Sequence, residues 1–440
     1  MGSTLSTQRV FRTWWPLTAS WLLMSLEGPA MNIVVARLAQ PKVHLAAFGS
    51  LVMPLAQVIN SPVVMLLAAS TALSADHRAY EKMRRFMHIA CAILTALHIV
   101  IACTPLYDII VRTVLGAPEE IVEPGRIGLL LAIPWTWALA YRRFNQGVLI
   151  RFGHSSAIGV GTLIRLCANA AVLAAGYILG SVPGTAVATA AITVGIIVEA
   201  IYSGLRVQPV LHNELPRESA GQPLEYRTFL RFYVPLSLTS VILLGVRPLF
   251  TAAISRMPNP LDSLAVFPVV TGLIYLFRSP GVAYNETSIA HIAEVGSTRT
   301  LPRFARSLVI GSSVAAAVVA ATPLCHIWFG TITGLDESLL SLAVAGFWLA
   351  SLLPAISVLQ SHYQGAILYS RKTRSITVAV AVYLVATTTL LWSAIAWRTI
   401  PGIYAAIVAM TVGEILRTVW MGRSSRRVWT ELRKRDAAET

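Results

Sequence analysis

Predominantly apolar stretches of twenty or more residues recur along this chain from Trp14 to Met421. A bilayer core takes about twenty helical residues to cross, so such a chain folds as a bundle of membrane-spanning helices. Twelve spans are expected, at approximately 13–36, 45–73, 86–113, 126–150, 156–179, 184–207, 228–255, 263–293, 304–330, 337–367, 374–397 and 401–421. Several exceed the bilayer's need and must tilt, kink or project. Only 12% of the residues are charged, which excludes a disordered chain and an ordinary soluble enzyme. The fold class is all-α, in two six-helix lobes. The longest polar interruption, His212 to Arg227, contains Pro216, Gly221 and Pro223 and reads as a linker. The expected division is an N-terminal lobe at 1–211, a cytoplasmic linker at 212–227, a C-terminal lobe at 228–423 and a basic cytoplasmic tail at 424–440.

The net charge of +15 would suggest nucleic acid in a soluble protein. Here the basic residues fall mostly in short intervals between apolar spans, so no nucleic-acid partner is expected. The N-terminus, alternate intervals and the C-terminus together hold 25 Lys and Arg, Arg142, Arg143 and Arg151 among them. The opposite side holds 6. By the positive-inside rule both termini face the cytoplasm, and the expected location is the plasma membrane. Cys91, Cys103, Cys167 and Cys325 lie in apolar stretches without CxxC spacing and read as small buried hydrophobes.

The two halves repeat. At an offset of 219, Pro16-Leu17 matches Pro235-Leu236, Pro29 matches Pro248, Arg37 matches Arg256 and Pro41 matches Pro260. After a one-residue slip the offset is 218. Ser61-Pro62 then matches Ser279-Pro280, Thr104-Pro105-Leu106 matches Thr322-Pro323-Leu324, and Gln146-Gly147 matches Gln364-Gly365. Six spans per half is an even number, so the halves form a parallel repeat. In such transporters the substrate site lies at the repeat interface near the midplane. Prolines matched in the first and seventh helices predict interrupted helices lining a cavity, since each removes a backbone donor.

These features resemble the multidrug/oligosaccharidyl-lipid/polysaccharide (MOP) exporter superfamily, which contains the MATE antiporters and the lipid-linked sugar flippases. More narrowly, the segment WWPLTASWLLMSLEGPAMN at 14–32, with Trp15-Pro16-Leu17 and the Glu27…Asn32 spacing, is similar to the progressive ankylosis protein family. So is Arg247-Pro248-Leu249-Phe250…Ser255-Arg256. The resemblance implies alternating access and export of small anions such as pyrophosphate, citrate or nucleotides.

An ionisable group inside the bilayer costs about 2.5–3.5 kcal/mol on insertion scales and marks a candidate site. Glu27 lies midway along the first span, Arg247 in the seventh and Arg278 in the eighth. The repeat partner of Arg278 is Asn60 in the second. The expected roles are substrate contacts at Arg247, Arg278, Asn60 and Tyr284, because a planar guanidinium matches carboxylate or phosphate oxygens. Glu27 is the expected site of a coupling proton or sodium ion, with Glu286 a second candidate near the cytoplasmic mouth. A Glu27–Arg247 salt bridge is the competing structural reading. Arg165 with Glu199, and Glu414 with Arg417 three residues on, are expected gating or structural pairs.

No Walker A segment, HExxH, GxSxG or paired-carboxylate loop occurs, so no catalysis, cofactor or metal is expected. The run Met421–Arg435 is expected to lie on anionic lipid headgroups. The resulting expectation is a monomeric secondary transporter that exports a small organic or phosphorylated anion. A flippase for a lipid-linked anionic headgroup is the alternative, followed by a MATE-type multidrug exporter.

Overall fold

The computed structural model describes residues 5–217, 224–370 and 374–439. The first four residues, the linker centre at 218–223, residues 371–373 and residue 440 lie outside the described residues. Twelve helical spans follow one another, with no strand among the described residues. We label them α1 (Thr7–Ser25 and Glu27–Val35), α2 (Pro41–Leu73), α3 (His77–Cys103), α4 (Val122–Leu131 and Ile133–Arg151), α5 (Ser156–Leu179) and α6 (Gly184–Asn213). The second half holds α7 (Tyr226–Ile254), α8 (Pro260–His291), α9 (Ser297–Ala321), α10 (Glu337–Tyr369), α11 (Arg374–Trp397) and α12 (Gly402–Glu439). Ten of these are long and apolar enough to cross a membrane. The other two, α1 and α4, are each divided. This is an integral membrane protein.

The repeat is visible in local backbone geometry. Gln40 and Asn259, each preceding the proline that opens α2 or α8, both adopt φ 51°. After α3, Thr104 donates to the Val100 carbonyl at 2.6 Å and accepts from the Leu106 amide at 3.3 Å. After α9, Thr322 repeats both bonds with Val318 and Leu324, at 2.7 and 3.4 Å. These Thr-Pro steps end both long helices, so the expected spans to 113 and 330 are each a helix and a separate short one. The short helices carry π-helical segments at Ile109–Val114 and Ile327–Thr333, again 218 apart.

The chain divides into two compact units, Met1–Ile33 with Arg256–Thr440, and Val34–Ser255. Each unit holds six spans, but not six consecutive ones. The expected lobes at 1–211 and 228–423 differ from them by exchange of the first helix of each half: α1 belongs with α8–α12 and α7 with α2–α6. Repeat-related hydrogen bonds account for this. The Trp14 indole donates to the Pro280 carbonyl at 3.0 Å, and Tyr233, 219 residues on, donates to the Pro62 carbonyl at 2.6 Å. Asn32 donates to the Pro268 carbonyl at 3.3 Å, and its counterpart Thr251 to the Ser50 carbonyl at 2.5 Å. Pro54 deprives Ser50 of its helical donor, and Thr251 replaces that donor. Pro62 likewise leaves Val58 short, and Ser61 donates to it at 2.6 Å.

The prolines do not act alike in the two first helices. In α1 the helix breaks at Leu26, just ahead of Gly28-Pro29. In α7, Pro235 and Pro248 sit inside an unbroken helix, so the interruption expected in both halves occurs in one. The position of Gly28 is held by Arg247 in α7. Glycine weakens a helical turn by about 1 kcal/mol relative to alanine, and proline removes a bond besides.

The C-terminal run is also corrected. α12 continues to Glu439, and Val428, Trp429 and Leu432 are buried in a core with Trp14, Tyr284 and Phe304. Arg435 donates to the Ala293 and Glu294 carbonyls, each at 2.8 Å, and Asp436 accepts from the Thr298 hydroxyl at 2.6 Å. The segment packs on the α8–α9 turn with one face, leaving only the other for lipid headgroups.

Candidate functional site

In each unit a buried glutamate is gripped by basic and amide side chains. In the α2–α7 unit the centre is Glu199 of α6, whose side chain is 1% exposed. Arg142 of α4 donates to its Oε2, and Gln146, one turn further on, donates to its Oε1 at 2.9 Å. Arg165 of α5 lies 3.0 Å from Oε2. Small residues let the helices approach. A Cβ on Gly195 would stand 1.7 Å from Asn169 Oδ1 and 3.1 Å from Arg165 Cγ, so glycine there brings α5 against α6 one turn before Glu199. Gly147 plays the same part between α4 and α2, where a Cβ would meet Ser70 Oγ at 1.9 Å and the Leu67 carbonyl at 2.4 Å.

In the other unit the centre is Glu414 of α12. Arg278 of α8 donates to its Oε1 at 3.3 Å, Gln360 of α10 to its Oε2 at 2.6 Å, and Arg417 to Oε2 at 3.4 Å. The clusters draw partly on repeat-related positions that carry different charges: at offset 218, Arg142 corresponds to Gln360 and Glu199 to Arg417. Gly413 matches Gly195, and a Cβ there would meet Thr387 Oγ1, the counterpart of Asn169, at 2.3 Å.

The remaining candidates are dispersed. Glu27 is half-buried and opens the second segment of α1, while Arg247 is exposed on α7. Both make polar interactions. Asn60 is buried in α2 and donates to the Ala56 carbonyl of its own helix at 2.8 Å. Tyr284 is wholly buried. Its hydroxyl donates to the Leu301 carbonyl at 2.9 Å, and its ring packs among Phe304 and His362. These contacts hold Tyr284 in the packed core of its unit. Glu286 is exposed and accepts from the Trp21 indole at 3.2 Å. Arg142, Arg143 and Gln360 went unselected in the sequence. The arginines stand within α4 and not in the interval after it, a change that leaves the charge bias intact. The available signal was Gln146, one turn from Arg142 on the same helix face and already marked by the repeat.

The α1/α8–α12 unit also holds an apolar cleft of about 770 Å³. Leu22 of α1, Phe277 of α8, Leu308 and Ala315 of α9, and Trp328 and Ile332 of the following short helix line it.

The fold resembles that of solved MOP-superfamily transporters. The chain superposes on the lipid II flippase MurJ in its inward closed conformation with TM-score 0.71, 12% identity and coverage of 96% of this chain and 91% of that one. It matches an inward-facing multidrug resistance MATE family transporter with TM-score 0.68, 11% identity and coverage of 99% and 97%. A MOP superfamily transporter from Pyrococcus furiosus, described by the reverse polarity of its binding pocket, matches with TM-score 0.62, 15% identity and coverage of 97% and 99%. At these identities the likeness is one of fold. No family model and no curated protein matches the chain by sequence.

Proposed function

We propose that the protein is a secondary transporter that exports a small organic or phosphorylated anion by alternating access, driven by a proton or sodium gradient. One observation carries this reading: in each unit a buried ion cluster contains more guanidinium groups than carboxylates. Buried charge in membrane helices is expensive, and an excess of one sign favours a solute of the other. The same excess disfavours a cationic drug. Within this fold the pocket's polarity varies, as the Pyrococcus furiosus transporter illustrates. The progressive ankylosis resemblance of 14–32 and 247–256 points the same way. Arg278 and Arg247 are the proposed anion contacts, and Glu27 the proposed coupling carboxylate.

The pairing of Arg278 with Glu414 gives a route to a gate. An anion arriving at Arg278 competes with Glu414, which keeps Arg417 and Gln360 as partners. Arg278→Gln is therefore expected to lower anion flux in proteoliposomes at least tenfold with normal expression. Unchanged flux would remove Arg278 from the site.

A second reading is a flippase for a lipid-linked anionic headgroup. The apolar cleft beside α1, α8 and α9 favours it, because it offers a place for an acyl chain next to a cationic cluster in the same unit. Lipid scrambling that requires Arg278 while soluble anions stay put would select this reading.

A further inference from the structure

Arg143 stands apart from the arginines around it. Its neighbours Arg142 and Arg165 both reach Glu199. Arg143 has no carboxylate, carbonyl or hydroxyl within hydrogen-bonding distance among the described residues, and its Nε is buried without an acceptor. The residue as a whole is not fully buried. The charges it feels are Arg142, Arg165 and Glu199. Three guanidinium groups therefore share one carboxylate, a net charge of +2 among these four side chains. The group lies eight residues before the end of α4 at Arg151, about 12 Å along the helix at 1.5 Å per residue, and so well inside the bundle.

Such an excess is costly unless a counter-charge completes it. Glu199 is engaged through both oxygens: Arg142 and Arg165 share one and Gln146 donates to the other. Its geometry also fixes Arg142 and Arg165, so the cluster is preorganised before any ligand arrives. What it lacks is a second acceptor group on the Arg143 side. A guanidinium offers a planar fork of donors that fits two oxygens of a carboxylate or phosphate.

We infer that Arg143, backed by Arg142 and Arg165, forms an oxyanion-binding site inside the α2–α7 unit, taking a carboxylate or phosphate group. This deepens the anion-transport reading and rests on it for the identity of the ligand as cargo. The site is distinct from the proposed contacts at Arg247 and Arg278. Glu199 acts as a positioning residue that holds two of the three guanidinium groups.

The test is calorimetric titration of the purified full-length protein with pyrophosphate, citrate and a short-chain phosphatidic acid, with melting temperature as the fold control. Wild type is expected to bind one of them. Loss of one charge-assisted contact in Arg143→Gln should weaken that binding roughly 10- to 100-fold, with partial recovery in Arg143→Lys. Unchanged binding by Arg143→Gln overturns the site and leaves the transport reading standing. Binding of phosphatidic acid alone, dependent on Arg143, keeps the site and overturns the soluble-cargo reading. A wild type that binds none of the three overturns both. Should the glutamine variant fail to fold, arginine modification of wild type by phenylglyoxal, mapped by mass spectrometry, decides the matter. Pyrophosphate, citrate or the phosphatidic acid must shield Arg143, and modification undiminished by all three contradicts the proposal.

Discussion

Glu199→Gln is the most informative stability perturbation. The amide keeps the shape of the side chain and can still accept from Gln146, so packing and one hydrogen bond survive. What disappears is the charge that Arg142 and Arg165 share, and both guanidinium groups are below 10% exposed. Removing one partner of a buried ion pair costs about 3–5 kcal/mol, because an uncompensated charge remains, whereas an exposed pair is worth about 0–1 kcal/mol. For a folding unit of this size 1 kcal/mol moves the melting temperature by about 2–4 °C, so a fall of roughly 6–20 °C is expected. Thermal unfolding in detergent, followed by tryptophan fluorescence, measures it. The double variant Arg165→Gln/Glu199→Gln removes one of the stranded charges and should be more stable than the sum of the singles implies, by at least about 1 kcal/mol. A fall below 2 °C, or strictly additive singles, would refute the claim that this cluster is a buried, mutually dependent network.

Other outcomes follow from particular contacts. Gly147→Ala places a methyl group 2.4 Å from the Leu67 carbonyl, so α4 must move off α2 at a cost of about 1–3 kcal/mol, while Gly245→Ala, with nothing within 4 Å, should leave unfolding in detergent unchanged. Burial works against the Asp436 charge, but hydrogen bonds from Thr298 and the ion pair with Arg435 hold its carboxyl below the ordinary aspartate range. A depressed folded-state pKa means this contribution is complete above the unfolded value of about 3.9 and is lost as pH falls through the lower, folded one. Asp436→Asn should therefore speed hydrogen exchange at 422–439 at pH 7, and wild type should show the same loosening only in acid; equal protection in both would contradict it. Glu27→Gln should abolish the response of anion flux to an imposed proton or sodium gradient, and a retained response would place coupling elsewhere.

The spans and the repeat were legible because prolines and Thr-Pro steps are rare enough to align where Leu and Ala are not. The exchange of α1 and α7 between units was hidden. It depends on which carbonyls Trp14 and Tyr233 reach, and sequence spacing carries no such information. Arg142 and Arg143 looked like a cytoplasmic interval because a short basic run between apolar windows has the same composition whether helical or looped. The partner of Arg142, Glu199, is 57 residues away. The Glu414–Arg417 spacing, three residues on one helix, was readable, but the donors from Arg278 and Gln360 came from other helices. The break at Leu26 was foreseeable from Gly28-Pro29. The continuity of α7 follows from Arg247 at the glycine's place, a difference that the matched prolines obscured.

The proposed function rests on selection of anions by the two guanidinium-rich clusters. Counterflow in proteoliposomes of the wild-type protein tests it most directly, with labelled citrate, pyrophosphate and ATP measured beside a cationic dye. The account predicts accumulation of at least one anion against preloaded unlabelled anion, and none of the dye. Dye accumulation without anion flux would contradict it.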